Sequence, residues 1–169
     1  MFPRSARPMP GRPTRDFARR SSRPLLCAVA FAAASLLAGR SIHLAEVKGP
    51  VTDFMKRYRT LAALEGRLEI IEVDSDTPLT EAYSGIVCFE TLEHLFKPVE
   101  MIEHFHEHLE TGYPFAFSVS FGDTPHAPYH VAQNAHLGDP RVFEEKLKAI
   151  GFGPYWKSTE NHFQIWRKS

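Results

Sequence analysis

Glu90, Glu93 and His94 stand within five positions of one another in the stretch CFETLEHLFKP, directly after the apolar Gly85, Ile86 and Val87. Spacings of three and four put side chains on one face of a helical turn, so the three can point the same way. Two carboxylates and an imidazole so gathered can hold a metal, bond a ribose or move a proton, and spacing alone leaves all three open. The ligand set suits magnesium, manganese or zinc without selecting one. A metal at Glu90, Glu93 and His94 would be completed by a histidine of a later loop, His126, His130 or His136. In the competing account Glu93 and His94 line a cleft or cap the next helix, and Glu90 stands near the substrate. The nearby EHFHEHLE lacks the zincin pattern HExxH, since position 110 is Glu110 and not histidine. His104 and His108 share a helix face that reads as exposed and mixed in charge, with Ile102, Phe105 and Leu109 as the buried stripe.

The elements that must position these groups follow from apolar periodicity. Strands are expected at 42–46, 68–73, 85–89 and 115–120, helices at 51–64, 99–109 and 140–150, and a closing strand pair at 154–158 and 162–167. Short strands separated by helices require crossovers, hence an α/β fold: a mostly parallel sheet covered on both faces. The last two strands, joined by the brief turn Thr159-Glu160-Asn161, make an antiparallel hairpin. Trp156, Phe163 and Trp166 alternate there and are expected to pack in the core. Ligands of such sheets bind where strands end. The exits carry Glu46, then Asp74, Ser75 and Asp76, then Glu90 to His94, then the loop with His130; acids there suit ribose hydroxyls, an adenine amine or a cation better than phosphate.

At 169 residues and 43% hydrophobic, the chain suits one domain with a real core. Its zero net charge hides a split. Residues 1–24 carry seven arginines against Asp16, a net +6, which leaves −6 on the rest; the folded part therefore has no clear nucleic-acid footprint. This leader, rich in Arg, Pro and Ser, is expected to be disordered, with the folded domain at 25–169. Cys27 and Cys88 form no CxxC pair, which suits a reducing, cytoplasmic setting. The apolar run Leu25 to Ala38 is fourteen residues, short of the roughly twenty of a membrane span. It reads as a small-residue helix packing on the sheet; the alternative is a signal segment and export.

In order and content, residues 41–169 resemble the class I S-adenosylmethionine-dependent methyltransferases. The motifs are IHLAEV, IIEVDSDTPL, GIVCFETLEHL, HLETGYPFAFSVS and KLKAIGF. The resemblance implies a Rossmann-like three-layer sandwich that binds S-adenosylmethionine. Glu46 would bind its ribose, Asp74 would face the adenine with Asp76 close by, Ser75 would be a further cofactor contact, and Glu90 would lie near cofactor and acceptor. His130 would be the catalytic base or a metal ligand, with Glu90 as the second catalytic candidate, and the acceptor a small molecule. Glu90, Glu93, His94 and His130 would form the metal set, as in branches that use an ExxEH segment. The chain departs from the family upstream: no glycine lies between Gly11 and Gly39, where a glycine-rich loop should follow the first strand. The fold is thus expected to be truncated, incomplete at that central strand, with methyl transfer impaired or replaced by a noncatalytic, partner-binding role. A miscalled start or a frameshift would account for the leader.

Overall fold

The computed structural model describes residues 35–36, 38–73, 79–121, 130–158 and 163–169. The leader, the run 25–34, Asp74, Ser75, Asp76, His126 and the turn at 159–161 lie outside them.

β1 (Ile42–Val47) and β2 (Leu68–Val73) pair in parallel, Ile42 against Leu68 and Glu46 against Glu72. A parallel pair needs a crossover, which α1 (Pro50–Leu61) supplies. Proline opens this helix, and the Thr52 hydroxyl donates to the Gly49 carbonyl (2.7 Å) and accepts from the Gly49 N–H (2.9 Å). It stops short of the expected Leu64 because Ala63 (φ 51°) and Gly66 (φ 79°) turn the chain into left-handed backbone. Met55 packs with Leu36, Leu68 and Ile70 in a small core.

The second sheet holds β3 (Ile86–Phe89), β4 (Pro114–Ser118), β5 (Phe152–Lys157) and β6 (Phe163–Lys168), in the order β3-β4-β6-β5. β3 and β4 are parallel and joined through α2 (Pro98–His108). β6 runs antiparallel to both β4 and β5, so the sheet is mixed, with the expected C-terminal antiparallel pair at its edge. α3 (Pro140–Ile150) precedes that pair. The Asp139 carboxylate accepts from the Arg141 N–H (2.9 Å) at its start, and Gly151 (φ 112°) closes it.

α2 and α3 pack on one face of this sheet, giving a core of Leu92, Ile102, Leu109, Phe115, Phe117, Leu147, Phe152 and Trp166, all nearly or fully buried. The stripe expected at Ile102, Phe105 and Leu109 is part of it. On the opposite face Val87, Phe89, Phe163 and Ile165 are half-buried and belong to neither core, so no described helix completes a third layer there. Nor does any described strand join β1 to β3. Among the described residues the strands thus form two separate sheets, each with its own core. His43, near the start of β1, exchanges a hydrogen bond with the Tyr83 hydroxyl (3.3 Å) just before β3, so both strands begin at the same end of the molecule.

Trp166 is fully buried, but Trp156 is 47% exposed and Phe163 is half-buried outside both cores, a correction to the expected core packing of all three. The register slips between Pro154, which faces Trp166, and Trp156, which faces Ile165. One extra residue in β5 moves Trp156 to the other face, where its ring meets Phe163 at 5.7 Å. Among the described residues, no helix is long and apolar enough to cross a membrane.

Candidate functional site

The end of β3 shapes the site. Beyond Phe89 the ladder to β4 continues for one bond, the Glu90 N–H donating to the Ser118 carbonyl (3.0 Å). Glu90 then takes φ 46°, an uncommon conformation for a residue with a side chain, and the Thr91 hydroxyl donates back to the Phe89 carbonyl (2.9 Å). The chain drops into a single 3-10 turn, Leu92–His94, instead of the expected helix face. Leu92 anchors that turn in the main core, and Glu93 goes in beside it with 1% exposure.

A second segment closes over this turn. Ala132–Gly138 is a 3-10 helix that apolar periodicity did not announce. It is stitched to the first segment by three bonds: the Val131 N–H to the Glu93 carbonyl (3.0 Å), Asn134 Nδ2 to the Leu95 carbonyl (2.7 Å) and Gln133 Nε2 to the Phe96 carbonyl (2.9 Å). These fix His130 against His94, the rings meeting edge to face at 5.2 Å. Asn134 is buried and was not singled out from the sequence; a polar residue between two apolar ones, Val131 and Leu137, was its only signal.

Glu93, His94 and His130 each present one donor atom within 4.8 Å of the other two. Both Glu93 carboxylate oxygens are buried and make no well-formed hydrogen bond, although the Glu90 carboxyl and the Ser120 backbone stand near enough to act on them. Burial, with the neighbouring Glu90 charge second, raises this carboxyl from an ordinary 4.5 to about 7. A cavity of about 10 Å³, lined by Glu93, Phe121, His130 and Asn134, adjoins it, the space of one water or ion. A buried carboxylate without a well-formed hydrogen bond, beside two imidazoles, is a donor set that a divalent ion fits.

The other expected residues fall elsewhere. Glu90 bears on Glu93 through its charge but stands outside the three-donor cluster. His136 is turned onto its own segment, its Nδ1–H donating to the Gln133 carbonyl (3.0 Å). Glu46 is half-buried near the end of β1, beside Glu72, whose carboxyl is held low by its bond to Lys56 Nζ (2.6 Å). Asp74 and Ser75 lie outside the described residues. Cys88 is no nucleophile: burial pushes its thiol up to about 12.

No protein-family model matches the sequence, and no curated protein does. Solved structures do match. PigF with SAH aligns over 91% of this chain and 57% of its own, at 11% identity and TM-score 0.61. The O-methyltransferase from a trans-AT PKS multienzyme of Brevibacillus brevis, in complex with S-adenosyl-L-homocysteine, aligns over 68% of this chain and 39% of its own (15% identity, TM-score 0.56). The [4+2]-cyclase SpnF aligns over 69% and 44% (16% identity, TM-score 0.55). The chain thus spans between 39% and 57% of the length of these structures. It carries the class I S-adenosylmethionine-dependent methyltransferase fold over most of its length. One of the three is titled as a cyclase, so the fold by itself does not name the reaction.

Proposed function

We propose that this domain is a methyltransferase that uses S-adenosylmethionine on a small-molecule acceptor, with a divalent ion at Glu93, His94 and His130. The observation that carries the reading is the buried Glu93 carboxylate, without a well-formed hydrogen bond, facing two imidazoles where β3 ends. Strand ends are where open α/β sheets bind their ligands. Among the matching solved structures, an O-methyltransferase from neocarzinostatin biosynthesis is titled as a complex with S-adenosylmethionine and 2-hydroxy-5-methyl naphthoic acid (15% identity, 75% of this chain, TM-score 0.55).

S-adenosylmethionine supplies an electrophilic methyl on sulfur, and a bound divalent ion supplies Lewis acidity toward an acceptor oxygen. The protein's task is then alignment, water exclusion and proton handling. Glu46, with Asp74 and Ser75, would accept hydrogen bonds from ribose and adenine. His130 would take the acceptor's proton or ligate the ion, and Glu90, on its strained backbone, would orient the acceptor. Glu93 must be ionised to ligate, so ion binding would release a proton wherever the free protein holds Glu93 protonated.

Calorimetric titration of the whole chain with S-adenosylmethionine, with and without magnesium, manganese or zinc, tests this. Micromolar affinity that weakens at least tenfold in Glu46→Ala supports it. Millimolar or absent affinity supports the second reading, a noncatalytic partner-binding subunit. That reading is favoured by the absence of glycine between Gly11 and Gly39 and, among the described residues, by the lack of a strand between β1 and β3.

A further inference from the structure

The histidine-rich stretch of α2 forms a second cluster of donors, separate from the one at Glu93. His104, Glu107 and His108 each bring one donor atom within 4.8 Å of the others. They are at positions i, i+3 and i+4 of one helix, the spacing that presents side chains on one face. The face is not open as the sequence suggested: both histidines are half-buried under the segment that leads to β3, and their rings meet at 4.6 Å. Each is oriented by backbone of that segment. His108 Nδ1–H donates to the Glu81 carbonyl (3.0 Å), which leaves the Nε2 lone pair free. Such a bond from the non-ligating nitrogen is the usual means of fixing a metal-binding imidazole. His104 Nε2 accepts from the Leu79 N–H (2.7 Å), and its Nδ1 lies 3.6 Å from Glu107 Oε2.

We infer that His104, Glu107 and His108 form a binding site for one zinc-type divalent cation, whose occupancy competes with the Leu79–His104 hydrogen bond. Two imidazoles and a carboxylate are a borderline-soft donor set that favours zinc over magnesium or calcium. Ligands around a tetrahedral ion at about 2.1 Å lie roughly 3.4 Å apart. The donor atoms already lie within 4.8 Å of one another, and Glu107, 72% exposed, can swing to close the gap. The competition follows from proton placement. While Nε2 of neutral His104 accepts from Leu79, the ring proton is on Nδ1. An ion at Nδ1 displaces that proton, and the ring then carries its hydrogen on Nε2, which can no longer accept. An ion at Nε2 takes the lone pair directly. In either geometry Leu79 loses its acceptor, so zinc loosens the start of the segment 79–85. This site stands apart from the proposed methyl-transfer chemistry and does not depend on it.

The test is zinc titration of tag-free, EDTA-stripped protein by calorimetry, with hydrogen exchange followed at the Leu79 amide. Two zinc equivalents are expected if the Glu93 cluster also binds, and one if it does not. In either case His108→Gln and His104→Gln each weaken one equivalent at least tenfold, while Glu93→Gln leaves that equivalent intact. Zinc speeds Leu79 exchange in the wild type and not in His104→Gln. Circular dichroism verifies that the variants are folded; if one is not, Glu107→Gln, at an exposed position, takes its place with the same expected weakening. Unchanged zinc stoichiometry and affinity in the folded variants, or Leu79 exchange slowed by zinc, would overturn the assignment.

Discussion

Glu93 is a carboxyl whose surroundings favour its proton. Its folded value of about 7 against 4.5 means the folded state binds the proton more tightly than the unfolded chain does. In metal-free protein its contribution is therefore most favourable below about pH 4.5, declines as pH rises toward 7, and is constant above that. The span amounts to at most about 3 kcal/mol. Thermal melts in EDTA should show Glu93→Gln melting above the wild type at pH 8 and level with it near pH 4.5. A wild type no less stable than the variant at pH 8 would refute the assignment. His106 contributes with the opposite sign. Burial, then the Lys168 charge, lowers its pKa, so its contribution is lost only as pH falls below the ordinary 6.5. Comparing wild type with Glu93→Gln at each pH cancels that background. None of this was legible in the string of residues: a glutamate in ETLEHL reads as a polar group on a helical face, and its burial depends on Ala132–Gly138 closing over it.

Among the elements, α3 was the most legible, because its signals are local. Asp139 caps it, Pro140 opens it, Phe143 and Leu147 recur at the spacing of one buried face, and Gly151 ends it. The Gly151 requirement is strict. Its φ of 112° disfavours any side chain, and an added Cβ would sit 2.8 Å from His106 Nε2. Gly151→Ala should cost about 1–3 kcal/mol in urea unfolding, and the loss should shrink when His106→Ala removes the obstructing ring. The bulge in β5 had no such local signal. Tyr155 and Trp156 both suit a strand, and which one leaves the register is decided by how Trp166 and Ile165 of β6 are already seated. Likewise Glu90 at φ 46° is a conformation its residue type does not announce. The order of strands and helices could thus be read from period and caps, whereas the details that shape the site are set by partners distant in sequence.

For the molecule as a whole, the two cores differ greatly in size. Among the described residues, the one on the four-stranded sheet includes thirteen buried residues and the one under β1 and β2 four. Apolar burial is the main source of stability, so the β1–α1–β2 unit should open more readily. Exposure along α1 agrees with this. Phe54 and Leu61 are 62% and 87% exposed, with Val51 and Tyr58 on the same stripe. Hydrogen exchange followed by mass spectrometry should find the amides of β1 and β2 exchanging well before those of β4 and β6. Equal protection in both sheets would mean that the unit is held by more than its own core. In mechanical terms the domain resembles two plates joined by a strap. Among the described residues no ladder bond runs from β1 to β3, and the contacts that bridge the two plates there are side-chain ones such as His43 with Tyr83. Of the described contacts, that side-chain seam is weaker than either ladder and should yield first.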